Sequence, residues 1–339
     1  MEYRRPDRPP MAPLIAQPYV CERLFKHLNV STREEFSEKV NEDMLNVGPW
    51  YIGDRELDSD SVSRTGIWGE KYERVPFDGG SYEDTVFLPF KDTVSVDELK
   101  DYVFPSPDWY DYSEISEFCD RHKDKVLYTG DPGHFDFING TAFTRGVEQV
   151  LVDIALEDEV YLYLVEKRFN FFYEKIRRTL EAAKGKIDIV YFGDDLGTQI
   201  GPIISIDSFN RLFSGYYKKG FELAHSYGAK TMMHCCGSIK SFIPVLIELG
   251  LDILEGVQVD ASGMDIEGLH RDFYKKIAFC GTISVQGVLA RGTPDDVTKE
   301  VMKRKKLFAD GGIIIGPSNI MQIDMSDENF DAMCNAVCV

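Results

Sequence analysis

The sequence predicts an α/β protein, a (β/α)8 barrel of the TIM type with an N-terminal excursion. Three observations predict it. Short β-branched or apolar runs alternate with segments of helical period throughout the second half of the chain. Five strand-then-helix units follow one another there, the pattern of a parallel sheet. No G-x-G-x-x-G follows any strand, which weakens an open dinucleotide-binding sheet as the alternative.

Taken in order, Ile187 to Phe192 reads as a strand ending in the loop Gly193-Asp194-Asp195-Leu196-Gly197. A helix follows from about Ser208 to Tyr227, with Phe209, Leu212, Phe213, Tyr216 and Tyr217 at helical spacing. Ala229 to Met233 is the next strand and runs into His234-Cys235-Cys236-Gly237. The helix Ile239 to Leu249 closes on Gly250, a residue suited to a left-handed cap. Asp252 to Val257 and Lys276 to Cys280 are strands separated by a helix near Ile266 to Tyr274. Thr293-Pro294 opens the helix Asp295 to Phe308, with a threonine cap and proline in the first turn. Gly312 to Gly316 is the last strand and Ser326 to Val337 a closing helix. In the first half, Pro13 to Ala16 and Val126 to Thr129 read as strands of the same set. That makes seven strands, with an eighth needed to close the barrel. Between them, residues from about 50 to 112 are rich in Gly, Asp, Tyr and Pro and lack helical period. They are expected to form an insertion in a single domain spanning 1–339, with Thr85 to Leu88 in a small hairpin.

Composition narrows the function. The 339 residues are 43% hydrophobic and 28% charged, with a formal net charge of −19. An acidic surface of that size repels phosphate backbones, so nucleic acid is not an expected partner. No apolar run approaches the roughly 20 residues that span a bilayer. Met1-Glu2-Tyr3-Arg4-Arg5-Pro6 leads into no apolar signal core. Seven cysteines without a disulfide-scaffold spacing suit a reducing compartment, so a cytoplasmic location is expected. The run Lys303-Arg304-Lys305-Lys306 shares its helix with Asp295, Asp296 and Glu300 and reads as a solvated face.

In a barrel of this type the chemistry sits at the carboxyl ends of the strands. Those ends carry Asp194, Asp195, His234, Cys236, Glu255, Gln258, Cys280, Ser318 and Asn319. His234-x-Cys236 is the sharpest feature. Residues two apart on an extended chain project to one face, so imidazole and thiolate can reach one zinc ion at roughly 2.0 and 2.3 Å. The competing reading is a buried His and Cys that only pack. Cys235, between them, points the other way. Glu255 ends the neighbouring strand, where an interior carboxylate is costly unless paired or coordinated. It is one candidate third ligand, and Cys280, one strand further round, is the other. Asp194-Asp195 followed by Gly197, Thr198 and Gln199 could orient a ligand, accept a proton or support a metal-bound histidine. The same residues also suit a plain helix start. His134, in Asp131-Pro132-Gly133-His134, is placed either over the barrel mouth or in a solvated turn.

With these residues in hand the chain resembles the uroporphyrinogen decarboxylase superfamily, specifically its zinc-dependent, corrinoid-linked methyltransferases. The resemblance runs from Arg5-Pro6-Asp7-Arg8-Pro9-Pro10 through Gly146-Val147-Glu148-Gln149 and Gly193-Asp194-Asp195-Leu196-Gly197. It is strongest in His234-Cys235-Cys236-Gly237-Ser238-Ile239, Asp252-Ile253-Leu254, Val257-Gln258, Gly292-Thr293-Pro294 and Asp327-Glu328-Asn329. It implies the (β/α)8 barrel. The decarboxylase members carry an N-terminal arginine-rich motif with a Gly-Arg-Tyr segment, and this chain lacks it. The methyltransferases bind zinc through His-x-Cys, matched by His234 and Cys236, and a cysteine after the final strand, where this chain has Asn319. That departure favours Glu255 as replacement ligand, and an N/S/O site is a harder Lewis acid that suits an ether oxygen.

The expectation is therefore a zinc methyltransferase that moves a methyl group from a methoxylated aromatic donor to the Co(I) of a corrinoid-binding partner protein. Its metal residues are His234, Cys236 and Glu255, with Cys280 as the alternative. Asp195 and Glu255 are the expected catalytic groups, and His134, Gln199, Gln258 and Asn319 the donor-binding ones. The rival readings are methyl transfer from a methylated corrinoid protein to a thiol of the coenzyme M type, a non-catalytic zinc scaffold, and porphyrinogen decarboxylation.

Overall fold

The computed structural model describes residues 7–12, 17–55, 57, 62–78 and 80–339. The strands in chain order are β1 Met44–Asn46, β2 Trp50–Tyr51, β3 Ser63–Thr65, β4 Lys71–Phe77, β5 Gly80–Phe87, β6 Tyr110–Asp111 and β7 Val126–Gly130. They continue as β8 Ile189–Gly193, β9 Lys230–His234, β10 Ile253–Glu255, β11 Ala278–Cys280 and β12 Ile313–Ile314. The first six α-helices are α1 Pro18–Leu28, α2 Arg33–Lys39, α3 Ile115–Arg121, α4 Asn139–Arg145, α5 Val147–Leu156 and α6 Glu159–Ala183. After them come α7 Ile206–Leu212, α8 Ser214–Ser226, α9 Ile243–Leu249, α10 Ile266–Phe273, α11 Val288–Arg291, α12 Pro294–Leu307 and α13 Asp327–Cys338. Seven strands form one sheet in the order β1-β7-β8-β9-β10-β11-β12. This is an α/β fold of the TIM-barrel type. No helix among the described residues is long and apolar enough to cross a membrane.

The chain divides into two compact units. The first comprises Met1–Leu45, Leu196–Ile203 and Met232–Val339. Its ladder is parallel: Ile253 lies beside Met232 on one flank and Ala278 on the other, and Phe279 beside Ile313. The expected strand Pro13 to Ala16 lies outside the described residues. The residues just before it supply ladder bonds: Ala12 N–H donates to the Ile315 carbonyl at 3.0 Å and Ile315 N–H to Pro10 at 2.8 Å. On the other side Asp43 N–H donates to the Met11 carbonyl at 2.9 Å, just ahead of β1. Pro10–Ala12 thus takes the place of a short eighth stave within this unit. Helix starts follow local chemistry. Thr293 and Asp296 make a reciprocal capping box on α12. The helix expected from Ile239 begins only at Ile243, with Pro244 in its first turn, where a missing N–H leaves no helical bond unmade.

The second unit comprises Asn46–Asp195 and Ile204–Thr231. Here β7 and β8 pair in parallel, Thr129 beside Val190. The helix expected as one piece from Ser208 to Tyr227 is broken at Phe213, whose ψ of −33° comes with an extended φ of −125°. Residues 50–112 hold a two-stranded antiparallel pair, β2 with β6, and a three-stranded antiparallel sheet, β3-β4-β5. The hairpin expected at Thr85 to Leu88 is the end of a longer one, pairing Lys71–Phe77 with Gly80–Phe87. Much of this unit's core is aromatic. Phe135 lies 5.1 Å from Phe192 and 5.9 Å from Phe137, and Trp68 meets Phe171 edge-on at 5.6 Å.

One buried ion pair holds α4 and α5 to the segment after β5. Arg145 Nε pairs with Asp153, and its Nη1 donates to the carbonyls of Phe90 at 3.0 Å and Thr93 at 2.9 Å. Both side chains are buried. Removing one partner strands the other charge, which costs about 3–5 kcal/mol. Arg145→Leu is therefore expected to lower unfolding free energy by that amount in urea denaturation, and a loss below about 1 kcal/mol would contradict the assignment.

Candidate functional site

The site begins with strand register. Glu255, the last residue of β10, stands beside His234, the last residue of β9. Neighbours in a parallel ladder present their side chains to the same face. The Glu255 carboxylate meets His234 Nδ1 at 2.6 Å and is wholly shielded from solvent. A buried carboxylate needs such a partner. With Nδ1 engaged, Nε2 is the imidazole nitrogen left to ligate, the arrangement by which carboxylates orient metal-binding histidines.

Space for the ring comes from Gly256. Its φ of +72° is left-handed, and a Cβ there would lie 2.6 Å from both Cε1 and Nδ1 of His234. Any side chain at 256 would displace the imidazole. A second close approach joins the loops after β8 and β9. A Cβ on Gly237 would lie 2.6 Å from the Gly197 backbone, and Ser238 N–H donates to the Thr198 carbonyl at 2.7 Å. Cys235, fully buried, accepts the Leu196 N–H on Sγ at 3.3 Å. Thus Cys235 faces away from its two neighbours and ties down the residue next to Asp195 in the chain.

His234 and Cys236, two residues apart at the end of β9, offer a nitrogen and a thiolate sulfur, donors that fit zinc. Asp195, one peptide bond before that tie, accepts on Oδ2 from Asn139 Nδ2 at 2.9 Å. Its neighbour Asp194 is buried and accepts the Phe137 N–H at 3.1 Å, with Tyr217 Oη at 3.2 Å. Burial, followed by the adjoining Asp136, pushes the Asp194 carboxyl well above the ordinary range.

The other expected residues fall as follows. Glu255 contacts His234 Nδ1, and Cys280 is buried one strand further on. Burial, and secondarily Glu255, pushes the Cys280 thiol far up. Gln258 is a brace: its Oε1 accepts the Gly237 N–H at 3.1 Å and its Nε2 donates to Gln199 Oε1 at 2.7 Å. Gln199 in turn donates to the Asp260 carbonyl at 3.0 Å and is exposed. Asn319 turns Oδ1 onto the Ile320 N–H at 2.7 Å. His134 is buried in the second unit, where with Asn46, Thr129, Asp131 and Lys175 it lines a cavity of about 170 Å³. The sequence reading passed over the close approaches at Gly256 and Gly237, for which only the glycine after each strand end was a signal.

A search of solved structures found a methyltransferase from Methanosarcina mazei, TM-score 0.64 and 13% identical, over 98% of this chain and 94% of that one. At that identity the likeness is one of fold. A dihydropteroate synthase from Anaplasma phagocytophilum aligns with 52% of this chain and 67% of its own at 15% identity, with a TM-score of 0.33, too weak a likeness to use. No curated protein matches the sequence. The model of the uroporphyrinogen decarboxylase (URO-D) family matches residues 143–338, more than half of the chain and the stretch that carries Asp195, His234, Cys236 and Glu255, and the chain belongs to that family.

Proposed function

We infer that this protein is a zinc-dependent methyltransferase that takes the methyl group of a methoxylated aromatic compound and delivers it to the Co(I) of a corrinoid protein in the cytoplasm. The observation that carries this reading is His234 and Cys236 at the end of β9 with Glu255 behind the histidine. The shared fold with a protein named as a methyltransferase supports it further. In the reaction the O–CH3 bond breaks, its electron pair stays on the aryl oxygen, and the methyl carbon bonds to cobalt. An aryl oxide is a poor leaving group, so stabilising its negative charge is where a protein can lower the barrier. Zinc held by His234 and Cys236 would supply that as a Lewis acid.

The chain's own residues do the rest. Glu255 accepts the Nδ1 proton of His234 and so fixes both tautomer and ring direction. The Gln258 brace holds the loops after β9 and β10 together, and exposed Gln199 on the adjoining loop contacts the donor. The donors also bear on the choice of methyl source, since one sulfur with nitrogen makes a harder site than two sulfurs. That favours an ether oxygen over a thiol.

Purified protein, assayed with a panel of methoxyarenes and of thiols and with free cobalamin as acceptor or donor, tests the reading. Demethylation of a methoxyarene is expected, and activity on thiols alone would contradict it. Cys236→Ala should lose both zinc, by elemental analysis, and methyl transfer, so full transfer by the metal-free variant would refute the role of the metal. Glu255→Gln should stay folded yet release zinc to a competing chelator about 10–100-fold more readily. Unchanged retention would remove Glu255 from the site.

A further inference from the structure

Helix α6, in the second unit, carries a lysine on its buried side. Phe172, Lys175 and Thr179 stand at i, i+3 and i+7, one stripe of the helix, and the two that flank the lysine are buried. Such stripes are ordinarily apolar, and an ammonium there is costly unless an acceptor meets it. Lys175 Nζ lies 4.3 Å from the centroid of the Tyr110 ring. A ring attracts the charge from one side but leaves the three N–H donors without an oxygen. Among the described residues Lys175 has no hydrogen-bond acceptor and no carboxylate at ion-pair distance. Burial pushes its pKa down.

Lys175 lines the cavity of about 170 Å³ that also holds Asn46, Thr129, Asp131, His134 and Thr179. Most of the other polar groups there are already engaged. Asn46 Nδ2 donates to the Gly130 carbonyl at 2.8 Å, and Thr179 Oγ1 to the Lys175 carbonyl at 2.8 Å. The Asp131 carboxylate accepts the Gly133 N–H at 2.7 Å and lies 3.1 Å from His134 Nδ1. The hydroxyl of Thr129, a residue only 4% exposed, has no partner among the described residues. One ammonium and one hydroxyl, both donors, are left to one small space.

We propose that this cavity binds a small monocarboxylate, its oxygens accepting from Lys175 Nζ and Thr129 Oγ1. Charge sets the valence. Burial pushes the His134 pKa down, so at neutral pH the imidazole adds no charge. Lys175 then offers a single positive charge, and a phosphate dianion would meet the Asp131 carboxylate with charge to spare. Volume sets the size. At about 30 Å³ per water-sized group there is room for roughly five or six heavy atoms, enough for acetate or propionate and too little for an aromatic acid. None of these residues belongs to the His234–Cys236 site, so binding here holds whether or not the protein transfers methyl groups.

Isothermal titration calorimetry of the purified full-length protein with sodium acetate, against chloride and phosphate at equal ionic strength, tests this. One acetate per chain is expected, and neither chloride nor phosphate should displace it at equal concentration. Lys175→Met keeps the length of the side chain and should weaken acetate binding at least about tenfold, with circular dichroism unchanged. Thr129→Val should weaken it about fivefold. Lys219→Met, at an exposed lysine that lies over the Phe169 ring, should leave it unchanged. A wild type that binds no acetate would overturn the proposal. So would binding that survives Lys175→Met, or that Lys219→Met weakens equally. Phosphate held more tightly than acetate would give the cavity to a dianion and overturn it too. Should Lys175→Met not fold, Thr129→Val decides, and unchanged binding by that variant would overturn the proposal.

Discussion

The contact between Glu255 and His234 is the constraint from which the rest of the site follows. Parallel register makes the two residues neighbours, and burial makes each dependent on the other. A carboxylate with no solvent must find a partner, and the imidazole is the one the ladder provides. Once Nδ1 is committed, the ring has one direction. The left-handed backbone at Gly256 keeps that direction clear. A ligand is thus aimed by strand geometry before any ion arrives, which is the preorganisation that metal sites require.

The thiol donor is set by a loop, and loops are fixed here by close backbone contact rather than by long side chains. Gly197 and Gly237 let the segments after β8 and β9 touch, and Cys235 uses its thiol to accept the Leu196 N–H. The pair Cys235-Cys236 therefore divides its labour by the alternation of an extended chain. One sulfur faces inward to fasten the loop, and its neighbour falls on the side of His234. Two adjacent thiols in the sequence carry two unrelated jobs.

How far the sequence told this story depends on the distance over which each feature is encoded. His234-x-Cys236 was legible because a two-residue spacing on a strand is a local fact. The strand-then-helix rhythm was legible for the same reason, and the family resemblance extended it to the whole fold. The partner of Glu255 was not legible, because which group its carboxylate meets depends on the strand register that sets it beside His234. The helices α4, α5 and α6 escaped a search for amphipathic period partly because α5 is apolar on both its buried and its exposed side, and α6 mixes aromatics among its charges over 25 residues. Periodicity finds helices with one apolar side and passes over one that has two.

Zinc K-edge X-ray absorption on the purified protein bears on the central claim more directly than any other measurement. The account predicts a single sulfur neighbour at about 2.3 Å, from Cys236, with the remaining shell of nitrogen and oxygen at about 2.0–2.2 Å. A shell with two sulfurs would bring Cys280 or another thiol into the site and contradict the account, as would a protein that binds no zinc at all.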